Sequence, residues 1–172
     1  LGESNEQWIK ALRVRVDWII SRIQGPNIMD IGCGSGICTY QAARSKSVEK
    51  VVAVDISPKA IEIAKGHINS LQNPEVADKV WFEMAEAESL MSNRNVSHIK
   101  FDTIVMGEVL EHVFDMDETM RCVDFLLKPG GTVLVSVPEG GDIDIDHVRI
   151  MSNKIVLDLM GRHGYKLIDS SR

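Results

Sequence analysis

The run Asp30-Ile31-Gly32-Cys33-Gly34-Ser35-Gly36 constrains the fold of this chain more than any other stretch. Three alternating glycines directly after an apolar segment mark a strand that turns at once into a helix. Glycine reaches positive φ at little cost and lets backbone N–H groups come close to a ligand. The helix that starts near Ile37 presents its positive end to the same turn, which is the geometry of nucleotide binding. About twenty residues on, a second apolar run, Val51-Val52-Ala53-Val54, ends in Asp55, where an α/β nucleotide fold places an acid on ribose hydroxyls.

The remaining pattern predicts one fold class. Apolar residues Trp8, Ile9, Leu12, Val16, Ile19, Ile20 and Ile23 recur at helical spacing, so the chain opens with an amphipathic helix over 4–23, with Ser4 as its cap and Gly25-Pro26 as its stop. Strands are expected at 27–31, 50–54, 80–84, 102–106, 132–137 and 165–169. Helices are expected at 37–45, 58–71, 116–127 and 152–163, with a polar loop between 84 and 102 and a turn at Pro129-Gly130-Gly131. Strand then helix, repeated, means an α/β, doubly wound, mostly parallel sheet with helices on both faces. No repeat or linker interrupts it, so residues 1–172 are read as a single domain.

Composition removes several classes of function. A net charge of −6 argues against broad nucleic-acid or anionic-membrane binding and favours a small-molecule partner. Three cysteines without a C-x-x-C pair indicate neither a disulfide framework nor a zinc ribbon, and Cys33 and Cys38 read as small fillers. With no apolar stretch of membrane length and no signal pattern, the expectation is a cytoplasmic protein. The missing initiator Met suggests a processed chain or a piece of a longer one. The glycine spacing is G-x-G-x-G, with Ile37 where a dinucleotide fingerprint has its third glycine, which tilts the reading away from NAD.

Four segments, IMDIGCGSG (28–36), VVAVDISPKAIEIAK (51–65), FDTIVMGEVLEHV (101–113) and LLKPGGTVLVSVPEGG (126–141), together resemble the class I S-adenosylmethionine-dependent methyltransferases. The likeness runs from about residue 26 to 168 and leans toward the small-molecule group that includes the ubiquinone-biosynthesis O-methyltransferases. It implies a Rossmann-like methyltransferase fold and transfer of a methyl group from S-adenosylmethionine to a hydroxyl oxygen of a small molecule. A sugar, glycan or RNA terminus as acceptor stays open, as does a non-catalytic cofactor-binding regulator. By resemblance, the loop of Asp30, Gly32, Cys33, Gly34 and Gly36 cradles the methionine end of the cofactor. Asp55 takes the ribose hydroxyls, Ile56 packs on adenine, Glu86 and the Ala87 N–H read adenine edges, and Met106 and Gly107 line the cofactor near sulfur. Ala85 and Glu86 depart from the Gly-Asp of the family pattern.

After the fourth strand come Glu108, Glu111 and His112, residue types suited to proton transfer or to a divalent cation. Three readings stay open for them: a metal site for an ion such as Mg²⁺, a metal-free acceptor site, or a structural role. His112 is the better base, because imidazole as a residue type titrates near neutrality, and Glu108 is the orienter. In the related small-RNA methyltransferases a similar set is completed by a distant histidine, for which His147 is the counterpart here. Asp142, Asp144 and Asp146 read as a solvated acidic loop, since the glycine and glutamate of a calcium loop are missing. Arg13 and Arg15 read as solvated charges on the first helix. The family's sheet adds an antiparallel seventh strand after the sixth. A truncated C-terminal edge is therefore expected here, completed by a dimer partner, a fused domain or further chain.

Overall fold

The computed structural model describes residues 2–138 and 147–170, and within the first helix the side chains of Glu6 and of residues from Ile9 onward. The elements in chain order are α1 (Gly2–Ile20), β1 (Asn27–Ile31), α2 (Ile37–Ala43), β2 (Lys50–Asp55), α3 (Pro58–Ser70), α4 (Pro74–Ala77), β3 (Val80–Met84), a 3₁₀ helix (Ala87–Ser92), β4 (Phe101–Gly107), α5 (Met116–Leu126), β5 (Leu127–Ser136) and α6 (Asn153–Arg162). The strands form one parallel sheet in the order β3-β2-β1-β4-β5. The winding reverses between β1 and β4, and at such a switch point the loops diverge and leave a crevice at the carboxyl ends of the strands.

The near-continuous apolar runs become strands buried on both faces. Met29, Ile31, Val52, Val54, Ile104 and Met106 face one core with α5 and the 3₁₀ helix, whereas Ile28, Val51, Val105 and Leu134 face the other with Ile19 and α2. Side chains alternate across a strand, so Asp30 shares the face of Ile28, and α1 and α2 cover it. Register then assembles the site. Ile31 pairs with both Val54 and Met106, so Gly32, Asp55 and Gly107 reach the same edge of the sheet together.

The amino edge is tied by Asp102 at the start of β4. Its carboxylate accepts the Asn27 N–H at 3.0 Å and holds Lys128 Nζ at 2.9 Å. A Cβ at Gly25 would lie 2.2 Å from Asp102 Cβ. The predicted Pro129-Gly130-Gly131 turn is an excursion inside β5, where Lys128 to Gly131 loop out between the pairs Phe101–Leu127 and Thr103–Thr132.

Three expectations are corrected. The first helix runs Gly2–Ile20, so Ser4 lies inside it rather than ahead of it, and it ends at Ile20 rather than Ile23. The segment expected to be all polar loop holds the 3₁₀ helix. No strand forms at 165–169, where Tyr165 instead donates to Asp124 on α5 at 2.6 Å and Asp169 pairs with Arg22. Leu167 and Ile168 are left exposed, and β5 has no outer partner among the described residues. The Trp8 side chain and Asp142, Asp144 and Asp146 lie outside the described residues. Among the described residues no helix is long and apolar enough to cross a membrane.

Candidate active site

All three loop glycines take positive φ, at 70° for Gly32, 53° for Gly34 and 78° for Gly36. At Gly32 the requirement is also spatial, because a Cβ there would stand 2.6 Å from Val109 Cγ2 in the turn after β4. Asp55 locks the loop from the next strand. One carboxylate oxygen accepts the Gly34 N–H at 2.9 Å, and the other accepts the Ser57 N–H at 2.9 Å. Ser57 in turn caps α3 by accepting from the Ala60 N–H, ahead of Pro58. Each carboxylate oxygen has a further lone pair, so Asp55 can still accept two hydroxyls. Ile56 beside it is 65% exposed, an apolar face open to a planar ring.

Between α1 and the glycine loop lies a cavity of about 220 Å³, lined by Leu12, Arg15, Val16, Asp30, Gly32–Ser35 and Gly107 among others. Another cavity of about 260 Å³, beside α3 and α4, has only apolar and amide side chains on its walls and no titratable group. Asp30 is buried and accepts from Thr39 Oγ1 at 2.5 Å. Burial raises its carboxyl from 3.8 to about 6, against the Thr39 hydrogen bond and with a smaller push from Asp55. The folded chain thus binds a proton here more tightly than the unfolded chain. Stability should fall as pH rises from 3.8 to about 6, by on the order of 2 kcal/mol. Asp30→Asn should remove that slope in urea unfolding followed across the window, and an unchanged slope would contradict the assignment. Burial, with Asp30 adding to it, also raises the Cys33 and Cys38 thiols, so both stay protonated fillers.

The turn after β4 carries the second half of the site. Glu108 has φ of 56°, unusual for a side-chain-bearing residue, and its N–H bonds Ser136 O at 2.9 Å. Its carboxylate pairs with Arg15 of α1. Glu111 is wholly buried, and neither of its carboxylate oxygens has a partner among the described residues. Burial raises its carboxyl, the Glu108 charge adds to the rise, and His112 and His147 oppose it. His112 is exposed, and its ring meets His147 edge-on with centroids 4.8 Å apart. One ligand atom each from Glu111, His112 and His147 lie within 4.8 Å of one another. Of the residues expected to form a metal set, Glu111 and His112 lie in this cluster with His147, whereas Glu108 is paired with Arg15.

Two cations that carry no sequence motif organise this region. Arg149 donates to the carbonyls of Leu110 at 2.8 Å and Phe114 at 2.9 Å, and also to that of Val113. With the Val148 N–H on Glu111 O at 2.9 Å, it clamps the His147 segment onto the turn. Arg15 corrects the solvated-charge reading, since it lines the cavity and holds Glu108. Of the remaining expected residues, Glu86 is exposed at the start of the 3₁₀ helix, and Ala87 is its first residue, where a backbone N–H has no intrahelical acceptor. Gly107 lines the cavity, whereas the Met106 side chain is fully buried in the core.

A switch-point crevice, a glycine cradle and an acid closing β2 define a nucleotide-type α/β site. Residues 24–158 match the family model described as "Methyltransferase domain", and the chain belongs to the class I S-adenosylmethionine-dependent methyltransferases. It is 33% identical over 125 residues to the ubiquinone biosynthesis O-methyltransferase of Xanthomonas campestris pv. campestris (strain B100), covering 72% of this chain and 48% of that protein. Identity to the protein of the same name from Ralstonia nicotianae (strain ATCC BAA-1114 / GMI1000) is 35%, with the same coverage. The chain thus spans about half the length of these curated relatives. Among solved structures, the [4+2]-cyclase SpnF aligns with a TM-score of 0.73 at 24% identity, covering 90% of this chain and 57% of that one. At that identity the likeness concerns the fold.

Proposed function

We propose that the chain binds S-adenosylmethionine and transfers its methyl group to a hydroxyl oxygen of a small molecule. One observation carries the reading: the cavity at the glycine loop is lined by both a buried carboxylate, Asp30, and a guanidinium, Arg15. A methionine zwitterion matches this pair of charges, Asp30 for its ammonium and Arg15 for its carboxylate, whereas a dinucleotide's pyrophosphate would be repelled by the Asp30 carboxylate. Asp55 accepts the ribose hydroxyls, Ile56 covers adenine, and Glu86 with the Ala87 N–H faces the adenine edge.

The cofactor supplies a sulfonium methyl that is already electrophilic, so the protein's task is alignment, which reaches about 7–11 kcal/mol in the best intramolecular models. The methyl carbon bonds to the acceptor oxygen as the carbon–sulfur bond breaks. His112, exposed after β4, takes the hydroxyl proton. In the alternative reading, Glu111, His112 and His147 are the residues that would hold a divalent cation, with His112 then a ligand and not the base. What supports one is the donor set itself, a buried carboxylate without a hydrogen-bond partner among the described residues, beside two imidazoles. Such an ion would lower the pKa of a bound hydroxyl.

Calorimetry on the whole chain tests both parts. S-adenosylhomocysteine should bind at micromolar concentration and NADH should not, and the reverse pattern would sink the cofactor reading. Mn²⁺ should raise the melting temperature and a chelator reverse it, with Glu111→Gln abolishing the response. Melting indifferent to both would remove the cation and leave His112 as a metal-free base.

A further inference from the structure

Arg15 stands where the two halves of the site meet. It lines the cavity together with Asp30 and Gly107, and its Nη1 pairs with Glu108 Oε1. Glu108 leaves the end of β4 on a backbone fixed by its left-handed φ of 56° and by the bond from its N–H to Ser136 O. The two side chains are 27% and 37% exposed, so the pair sits at the cavity mouth, where ion pairs are weak and exchangeable. A second carboxylate arriving in the cavity would share this cation with Glu108, close to the Asp30 carboxylate as well. With the cofactor's ammonium matched to Asp30, two carboxylates remain for one guanidinium, so they compete.

We infer that Arg15 is a shared positioning residue, passed from Glu108 to the carboxylate of the cofactor's amino-acid end, so that a seated cofactor frees Glu108 toward the Glu111–His112 turn. The inference rests on the zwitterion reading above. By linkage, whatever loosens Glu108 from Arg15 tightens the cofactor, and a bound cofactor makes Glu108 available on the acceptor side. Cofactor occupancy and the charge state of the acceptor site are thereby coupled through one side chain.

A double-mutant cycle read by calorimetry with S-adenosylhomocysteine tests this. Glu108→Gln should tighten binding about two- to fivefold, the yield of removing a weak competing pair. Arg15→Met should weaken it about tenfold or more, with Arg15→Lys intermediate. In the Arg15→Met background, Glu108→Gln should change nothing. A gain of affinity is not what a damaged fold produces, so the sign separates competition from a structural role. Unchanged or weaker binding in Glu108→Gln would overturn the inference. Equal tightening in the Arg15→Met background would do so too, because Glu108 would then act by simple charge repulsion. If the unaltered chain fails to bind S-adenosylhomocysteine at all, the zwitterion reading itself falls.

Discussion

Replacing Gly32 by alanine should destabilise the chain by about 3 kcal/mol and abolish measurable S-adenosylhomocysteine binding. Two costs add. A residue with a Cβ pays roughly 1–2 kcal/mol to hold the left-handed conformation, and φ here is 70°. The new methyl would also stand 2.6 Å from Val109 Cγ2, and valine is too short and too stiff at χ1 to move its methyl aside. Either the loop withdraws from the cavity or the Val109 turn does, and that turn carries Glu108, Glu111 and His112. Gly34 is the control. It shares the positive φ, but a methyl added there would meet nothing within 4 Å, so Gly34→Ala should lose only the conformational part. Urea unfolding of the two variants measures the difference, and equal losses would show that the Val109 contact is unimportant.

Asp55→Ala should weaken S-adenosylhomocysteine binding on the order of 100- to 1000-fold, since each hydrogen bond to a charged group is worth about 1.5–3 kcal/mol. The loss has two sources. The ribose hydroxyls lose their acceptor, and the Gly34 and Ser57 N–H groups lose theirs, so the loop is no longer held in its binding shape. Asp55→Asn divides them, because an amide keeps one oxygen and turns an N–H₂ toward the other donor. Its affinity should fall between those of Asp55 and Ala. Isothermal titration of the three proteins decides the matter, and an alanine variant that binds normally would remove Asp55 from the site.

What is legible in the sequence follows from physics that is local or strongly periodic. β1, β2 and β4 are buried on both faces, and such strands read directly as short apolar runs between turn residues. The glycine cradle is legible because positive φ leaves few residue types to choose from. The 3₁₀ helix at Ala87–Ser92 is too short to show a period, so the pattern gives no sign of it. The strand expected at 165–169 fails to form for a different reason. Alternation is a property of one segment, whereas a ladder needs a partner, and here Asp124 and Arg22 hold the chain end elsewhere. Arg15 and Arg149 look like any surface cation in sequence, and only the packing of α1 and of the His147 segment makes them part of the site. His147 is reachable through family resemblance alone, since nothing local ties it to His112.

The carboxylate of Asp102 joins the first residues of β1 and β4 to Lys128 of β5. Its bonds are all internal, so that end of the sheet has no reason to move when a ligand arrives. At the opposite end, Asp55, Glu108 and Glu111 keep acceptor capacity that their neighbours do not exhaust. The molecule is thus anchored at one rim and chemically open at the other, much as a tool is clamped by its handle. Substitutions in the turns at the open rim can change what is held there while the Asp102 ties keep the strands aligned at the other.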